Sequence, residues 1–170
     1  MRSLDLVPAL IAMLLGTASL PSTPVLPAEQ VRGALAASLI APMEIDQGQM
    51  LDVRIRLRNV SATPQRVTLG VPPQEFRVKL PGGRVVWDPS AGTARPLVAQ
   101  IIDLEPGGER EYHGRWDVRD NAGTPVSPGR YVVVGVLFAN QPDYAGEKLD
   151  AKSVTPFTME SELVVRAAQR

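Results

Sequence analysis

Three polar residues in one short segment are the clearest candidates for chemistry in this chain. Asp117, Asp120 and Asn121 precede Gly123 in the sequence WDVRDNAG, and carboxylate and amide oxygens are ligands that Ca²⁺ prefers. Their spacing does not follow the alternate-residue ligand pattern of an EF-hand loop. Asp and Asn side chains also bond to nearby backbone, and glycine readily adopts the left-handed conformation. The segment therefore predicts a polar turn with Gly123 left-handed, and no metal site.

His113 is the only histidine, and a serine-hydrolase triad would need it. It lies between Glu111 and Arg115 on the polar side of an alternating segment, and the chain has no G-x-S-x-G nucleophile motif. Copper ligation with the chain's methionines is not indicated, because they are scattered. We therefore predict a surface position for His113, no catalytic residue, no metal and no cofactor, and a protein that is not an enzyme.

Composition limits the class of protein. The chain has 170 residues, 44% of them hydrophobic, with 18 basic and 18 acidic residues and no basic run, so nothing predicts nucleic-acid binding. Cysteine is absent, which excludes disulfides, zinc–thiolate sites and a cysteine nucleophile. Sixteen prolines and fourteen glycines indicate many turns and short elements, as in an all-β domain.

The N-terminus differs from the rest of the chain. Residues 6–20 (LVPALIAMLLGTASL) are almost entirely apolar and end in small residues, which predicts a signal peptide over residues 1–18 with cleavage after Ala18. An uncleaved anchor and a buried helix are the alternatives. Pro21, Pro24 and Pro27 predict a stiff spacer over residues 19–30, and the folded domain is expected over residues 31–170. The protein is therefore expected to be exported to the periplasm, the cell envelope or the medium.

The elements that position these residues read as strands. Residues 51–57 alternate strictly between apolar and polar side chains, which is the period of a half-buried strand. Pro72-Pro73 is expected to end a strand, at an edge or a bulge, and residues 131–139 (YVVVGVLFA) predict a central strand buried on both faces. About eight strands, at the spacing typical of sandwiches, predict an Ig-like antiparallel β-sandwich.

Three segments together resemble the BsuPI-type family of intracellular proteinase inhibitors. They are VRIRLRNVSATPQRVTL (residues 53–69), EFRVKLPGGRVVWDPS (75–90) and LEPGGEREYHGRWDVRDNAGTPVSPGRYVVVGVL (104–137). The third segment alone also resembles the Ig-like module of flagellar hook-capping proteins. The residues that carry the pattern are Asn59, Trp87, Trp116, Asp117, Asp120, Gly123, Gly129 and Tyr131. The resemblance implies an Ig-like fold and inhibition of subtilisin-type serine proteases.

Binding is expected from loops, because the aromatic residues have core positions. Trp87 and Trp116 sit at strand ends with inward parity, and Tyr131 is expected to pack and hydrogen-bond at a strand corner. Two connections are candidates for contact with a partner. Residues 88–96 carry Asp88, Ser90, Thr93 and Arg95, and residues 140–156 carry Tyr144. We predict a non-catalytic domain that binds a protein, and the family resemblance implies a subtilisin-type serine protease as that partner. The alternative is an exported envelope module without inhibitory activity.

Overall fold

The computed structural model describes residues 28–93, 99–140 and 156–168, which form ten β-strands in two sheets and no helix. The first sheet has the order β1-β2-β4-β8, formed by Ala28–Arg32, Leu35–Ile40, Leu51–Asn59 and Glu109–Trp116. The second has the order β3-β10-β9-β5-β6, with β7 also paired to β5; these strands are Glu44–Asp46, Phe157–Arg166, Gly129–Asn140, Gln65–Lys79, Val85–Trp87 and Ala99–Leu104. Within the described ranges, no helix offers a candidate for crossing a membrane.

Period-two alternation places one face of each main strand in the core between the sheets. Four apolar residues of β4, namely Leu51, Val53, Ile55 and Leu57, are at most 1% exposed. The inward residues of β10 are Phe157, Met159, Leu163 and Val165, and all are buried. The fold is therefore an Ig-like β-sandwich, as expected from the strand pattern.

Strand β9 is central, as predicted from its continuous apolar run. It pairs with β10 on one side and β5 on the other. Leu137 and Ala139 face the core, and the alternate residues Val134 and Val136 are also buried. Both faces of this strand are therefore shielded from solvent.

Two glycines allow side chains of one sheet to approach the backbone of the other. A Cβ on Gly114 of β8 would lie 2.3 Å from Cδ2 of Phe76, a buried residue of β5. A Cβ on Gly135 of β9 would lie 2.8 Å from Leu39 Cδ1 and 3.1 Å from Ile55 Cδ1. All three distances are shorter than normal carbon–carbon contacts, so the two sheets can pack this closely only because glycine has no side chain at these two positions.

The prediction that Pro72-Pro73 ends a strand is wrong, whereas the expected bulge is present. Strand β5 continues from Gln65 to Lys79 through a cis Val71–Pro72 peptide, and its register with β9 shifts between Leu69 and Gln74. The missing proline N–H groups interrupt the ladder locally, and pairing resumes beyond them because β9 is long enough to serve both halves.

Two further strands were not expected from the sequence. Strand β1 starts at Ala28, inside the segment interpreted as a spacer, and pairs with β2. Strand β3 is only three residues long and runs parallel to β10. The other strand pairings of the described residues are antiparallel. An alternation signal needs about four residues or more, so β3 is too short to produce one.

Asn59 joins two turns at one end of the sandwich. This residue is 1% exposed, and its Nδ2 donates to the carbonyls of Thr63 (2.8 Å) and Leu104 (2.9 Å). Its Oδ1 accepts from Ser61 N (2.9 Å), and its backbone pairs with Gly107 and Gly108. The residue that the family resemblance singles out is thus a buried polar junction of the fold.

Candidate functional site

The opposite end of the sandwich carries an open cleft between the β6–β7 and β8–β9 connections. We call this the loop cleft; its volume is about 420 Å³. It is lined by Trp87, Asp88, Pro89, Ala91, Asp117, Arg119, Asp120, Asn121 and Gly123. Five of these residues were singled out from the sequence as signature or loop residues, and the tertiary structure brings them to one surface.

The β8–β9 connection forms a polar turn closed by Asp120. The Oδ1 atom of Asp120 accepts hydrogen bonds from the backbone N–H groups of Ala122 (2.9 Å) and Thr124 (2.8 Å). Gly123 has φ of 80°, which confirms the predicted left-handed conformation. Asn121 then joins this turn to the other loop, because its Oδ1 accepts from Asp88 N at 2.8 Å. The two walls of the loop cleft are therefore held together by hydrogen bonds.

Val118 has the unusual backbone conformation φ 60°. A β-branched residue rarely occupies this region, at a cost of about 1–3 kcal/mol. The conformation is held because Val118 is buried, its carbonyl accepts from Val126 N (3.0 Å), and Trp116 Nε1 donates to Arg119 O at 2.6 Å. The left-handed backbone at Val118 turns its own side chain into the core and leaves the neighbouring Asp117 and Arg119 at the surface, where both side chains are about half exposed.

An aromatic cluster forms the base of this end of the sandwich. Trp116 is 1% exposed and lies between Trp87 (ring centroids 6.3 Å apart) and Tyr131 (6.1 Å). Tyr131 donates its hydroxyl to Ser127 O at 2.7 Å, the corner contact predicted for it. Burial raises the pKa of Tyr131, against a smaller lowering by Arg84, so the phenol stays neutral and keeps this bond.

Trp87 is only partly buried, which differs from the core position of Trp116. It packs against the core on one side and lines the loop cleft on the other. Its indole N–H has no hydrogen-bond partner among the described residues. Strand β6 is short and lies at the sheet edge, so none of the strands that the structure describes covers its outer side.

Asp88 and Ser90 point back toward the sheet. The Ser90 hydroxyl and backbone N–H lie 2.6 and 2.9 Å from Asp88 Oδ1. Arg77 Nη2 donates to Glu75 Oε2 at 2.8 Å, and Arg77 Nε lies 2.9 Å from Asp88 Oδ2 in an ion pair that is not aligned for a hydrogen bond. The side chains of Glu75 and Asp88 are 6% and 14% exposed. These contacts hold the start of the 88–93 segment in place.

A second, smaller cleft adjoins the loop cleft. We call it the Met50 cleft; its volume is about 200 Å³, and it is lined by Gly48, Gln49, Met50, Asp117, Val118, Arg119 and Pro125. The two clefts share Asp117 and Arg119. Met50 is 53% exposed, so this cleft has an apolar wall.

The remaining candidates are distributed differently. Thr93 is exposed, whereas Arg95 and Tyr144 lie outside the described residues. His113 is exposed on the outer face of the first sheet, opposite Arg54 in the strand register and 3.9 Å from Glu111 Oε2. Arg119 was not singled out from the sequence. Its position beside apolar Val118 in a polar turn is the one feature that could have indicated it.

No metal centre is built from the part of the chain that the structure describes, since no group of three or more His, Cys, Asp or Glu side chains there could hold an ion. Asp120 uses its carboxylate to close the turn. The lining of the loop cleft combines the indole of Trp87, the guanidinium of Arg119 and the carboxylates of Asp88, Asp117 and Asp120.

No protein-family model matches this chain, and no curated protein matches it. Similar solved structures include the alkylpurine DNA glycosylase AlkC of Pseudomonas fluorescens (16% identity, TM-score 0.39, 81% of this chain and 32% of that chain). The CARDB domain of a Pyrococcus furiosus protein has 13% identity and a TM-score of 0.36 over 85% of this chain and 95% of that one. The C-terminal domain of wzt has 12% identity and a TM-score of 0.45 over 84% and 80%. At such identities the likeness concerns the fold alone, and the sandwich class rests on the strand pairing described above.

Proposed function

We propose that this chain is a non-catalytic protein-binding domain whose partner docks at the loop cleft. The observation that carries the proposal is the half-buried Trp87 beside two loops that the Asn121–Asp88 hydrogen bond joins. Aromatic side chains in pockets that a partner can seal from water dominate the energy of many interfaces. Loops already held by hydrogen bonds lose less conformational entropy on association.

A subtilisin-type serine protease is the first partner to test. The BsuPI-type resemblance of residues 53–69, 75–90 and 104–137 suggests this class. An inhibitor commonly adds an extended, rigid segment to the enzyme's cleft, and the contacts of Asp88 and Ser90 make the start of the 88–96 connection rigid. In this form of the proposal, the domain binds in the active-site cleft of the protease and is not cleaved.

An exported envelope module without inhibitory activity is the second candidate. The observation that favours it is that the surface between the loops is concave, whereas an inhibitor inserts a protruding segment. Such a module would receive a segment of its partner at the loop cleft, and blocking a protease would form no part of its role.

Two measurements test the proposal with the purified full-length chain. The rate of a subtilisin-type protease on a chromogenic peptide is titrated with the chain, and an end point at one equivalent supports the inhibitor form. An unchanged rate in molar excess refutes that form. A photo-crosslinker replacing Ala91, an exposed residue of the loop cleft, is compared with one replacing Glu109 on the first sheet.

The crosslinking result decides where the partner docks. We expect a product from position 91 with the protease or with a cell-envelope protein, and none from position 109. The envelope protein is then purified and must bind the chain again. A partner captured equally from both positions, or only from position 109, contradicts docking at the loop cleft.

A further inference from the structure

We infer that the loop cleft and the Met50 cleft together form one groove that takes an extended peptide segment with a basic side chain beside an apolar one. The inference rests on the proposed function and names the chemistry of the partner. The two clefts adjoin because Asp117 and Arg119 line both of them. A peptide lying across this shared wall would place one side chain in each cleft.

The charge of the loop cleft favours a cation. Its lining carries three carboxylates, on Asp88, Asp117 and Asp120, against the guanidinium of Arg119, a formal charge of −2 on a chain that is neutral overall. Arg77, outside the lining, is shared between Asp88 and Glu75. Arg119 is held by Gly123 O at 2.7 Å and lies 3.7 Å from Asp117. A net negative charge therefore persists, and it repels phosphate and carboxylate ligands.

The indole of Trp87 adds a second attraction for the same ligand. A Lys ammonium or Arg guanidinium near an indole face is attracted by the ring quadrupole, and a planar Arg group can also pair with a carboxylate. Because Trp87 also packs against Trp116, only part of its ring is open.

The Met50 cleft supplies the apolar half of the groove. Met50 is 53% exposed, and Pro125 forms part of the lining. Methionine adapts its shape to different apolar groups, so this half accepts an aliphatic side chain without strict selectivity. The groove is thus expected to select for a basic residue and to tolerate variation in its apolar neighbour.

The inference is tested by amide NMR titration of the full chain with three acetylated, amidated hexapeptides. They have the sequence Ala-Ala-X-Ala-Leu-Ala, where X is Arg, Gln or Glu; in an extended peptide X and Leu lie beside each other on the same face. We expect the Arg peptide to shift the Trp87 indole N–H and the backbone amides of residues 117–123. The Gln peptide should bind about threefold to tenfold more weakly, since it lacks the charge, and the Glu peptide should bind more weakly still.

Two variants link the effect to the carboxylates. The double variant Asp117→Asn/Asp120→Asn keeps the side-chain shapes and the Oδ1 acceptor that closes the turn, and it should weaken Arg-peptide binding about threefold to tenfold. The control Asp103→Asn neutralises an exposed carboxylate on β7, paired with Arg66, and should leave binding unchanged. Equal binding of the three peptides, or no shift with any of them, overturns the inference.

The proposed function and this further inference can be refuted independently of each other. A partner that still crosslinks from position 91 while the Arg peptide produces no shift contradicts the inference and leaves the proposed function standing. Absence of both signals contradicts both.

Discussion

Replacing Gly114 by alanine tests whether the two sheets pack as described. An added Cβ would lie 2.3, 2.7 and 2.9 Å from ring atoms of Phe76. The shortest of these distances is about 1.2 Å less than the 3.5 Å of a favourable carbon–carbon contact. Phe76 is 5% exposed, so its ring can move only by displacing its neighbours. Overpacking of this kind costs roughly 1–3 kcal/mol, more than the 0.5–1 kcal/mol that alanine gains over glycine in a strand.

The sign of the effect should reverse when the ring is removed. Phe76→Ala by itself costs about 3–5 kcal/mol, but in that background the added methyl group meets no ring. Gly114→Ala should then stabilise the protein by roughly 0.5–1 kcal/mol. The gain of alanine over glycine is the same in both backgrounds, so the two substitutions are expected to be coupled by the overpacking penalty, about 1–3 kcal/mol.

Urea unfolding followed by tryptophan fluorescence measures all four proteins of the cycle. Gly82→Ala is the control, because a Cβ there meets no atom within 4 Å and Gly82 has no positive φ; its free energy of unfolding should change by less than about 0.5 kcal/mol. If Phe76→Ala does not fold, the cycle is repeated with Phe76→Leu, which should reduce the penalty. An equal penalty for Gly114→Ala with and without the ring would refute the packing argument.

Two further predictions concern the junction at Asn59 and the ion pairs of the first sheet. Asn59→Ala should lower the free energy of unfolding by about 2–4 kcal/mol, because the Thr63 and Leu104 carbonyls lose their donor; a loss below about 0.5 kcal/mol in urea unfolding would contradict this. The Arg56 hydrogen bond holds the pKa of Glu111 below its ordinary 4.5, with desolvation opposing and the charge of nearby arginines assisting. The associated stability is present above the ordinary pKa and lost as pH falls through the lowered one, so the stability difference between the wild type and Glu111→Gln should shrink between about pH 6 and pH 3. A difference independent of pH over that range would count against the ion pair.

Local sequence determined the features that depend on neighbouring residues. The alternation of Leu51, Val53, Ile55 and Leu57 predicted a half-buried strand, because successive side chains of a strand point to opposite faces. The left-handed Gly123 and the corner hydrogen bond of Tyr131 were also predicted, since turn chemistry acts over a few residues. The sandwich class followed from about eight such strands at regular spacing.

Tertiary structure alone decided which distant residues meet. The hydrogen bond from Asp88 N to Asn121 joins residues 33 positions apart, and no periodicity encodes such a partner. Strand β5 continues past Pro72-Pro73 because β9 pairs with both of its halves, and Val118 keeps its left-handed backbone because surrounding contacts hold it. Side-chain alternation specifies which face of a strand is buried, whereas the pairing of strands and the cleft between their loops arise from long-range contacts.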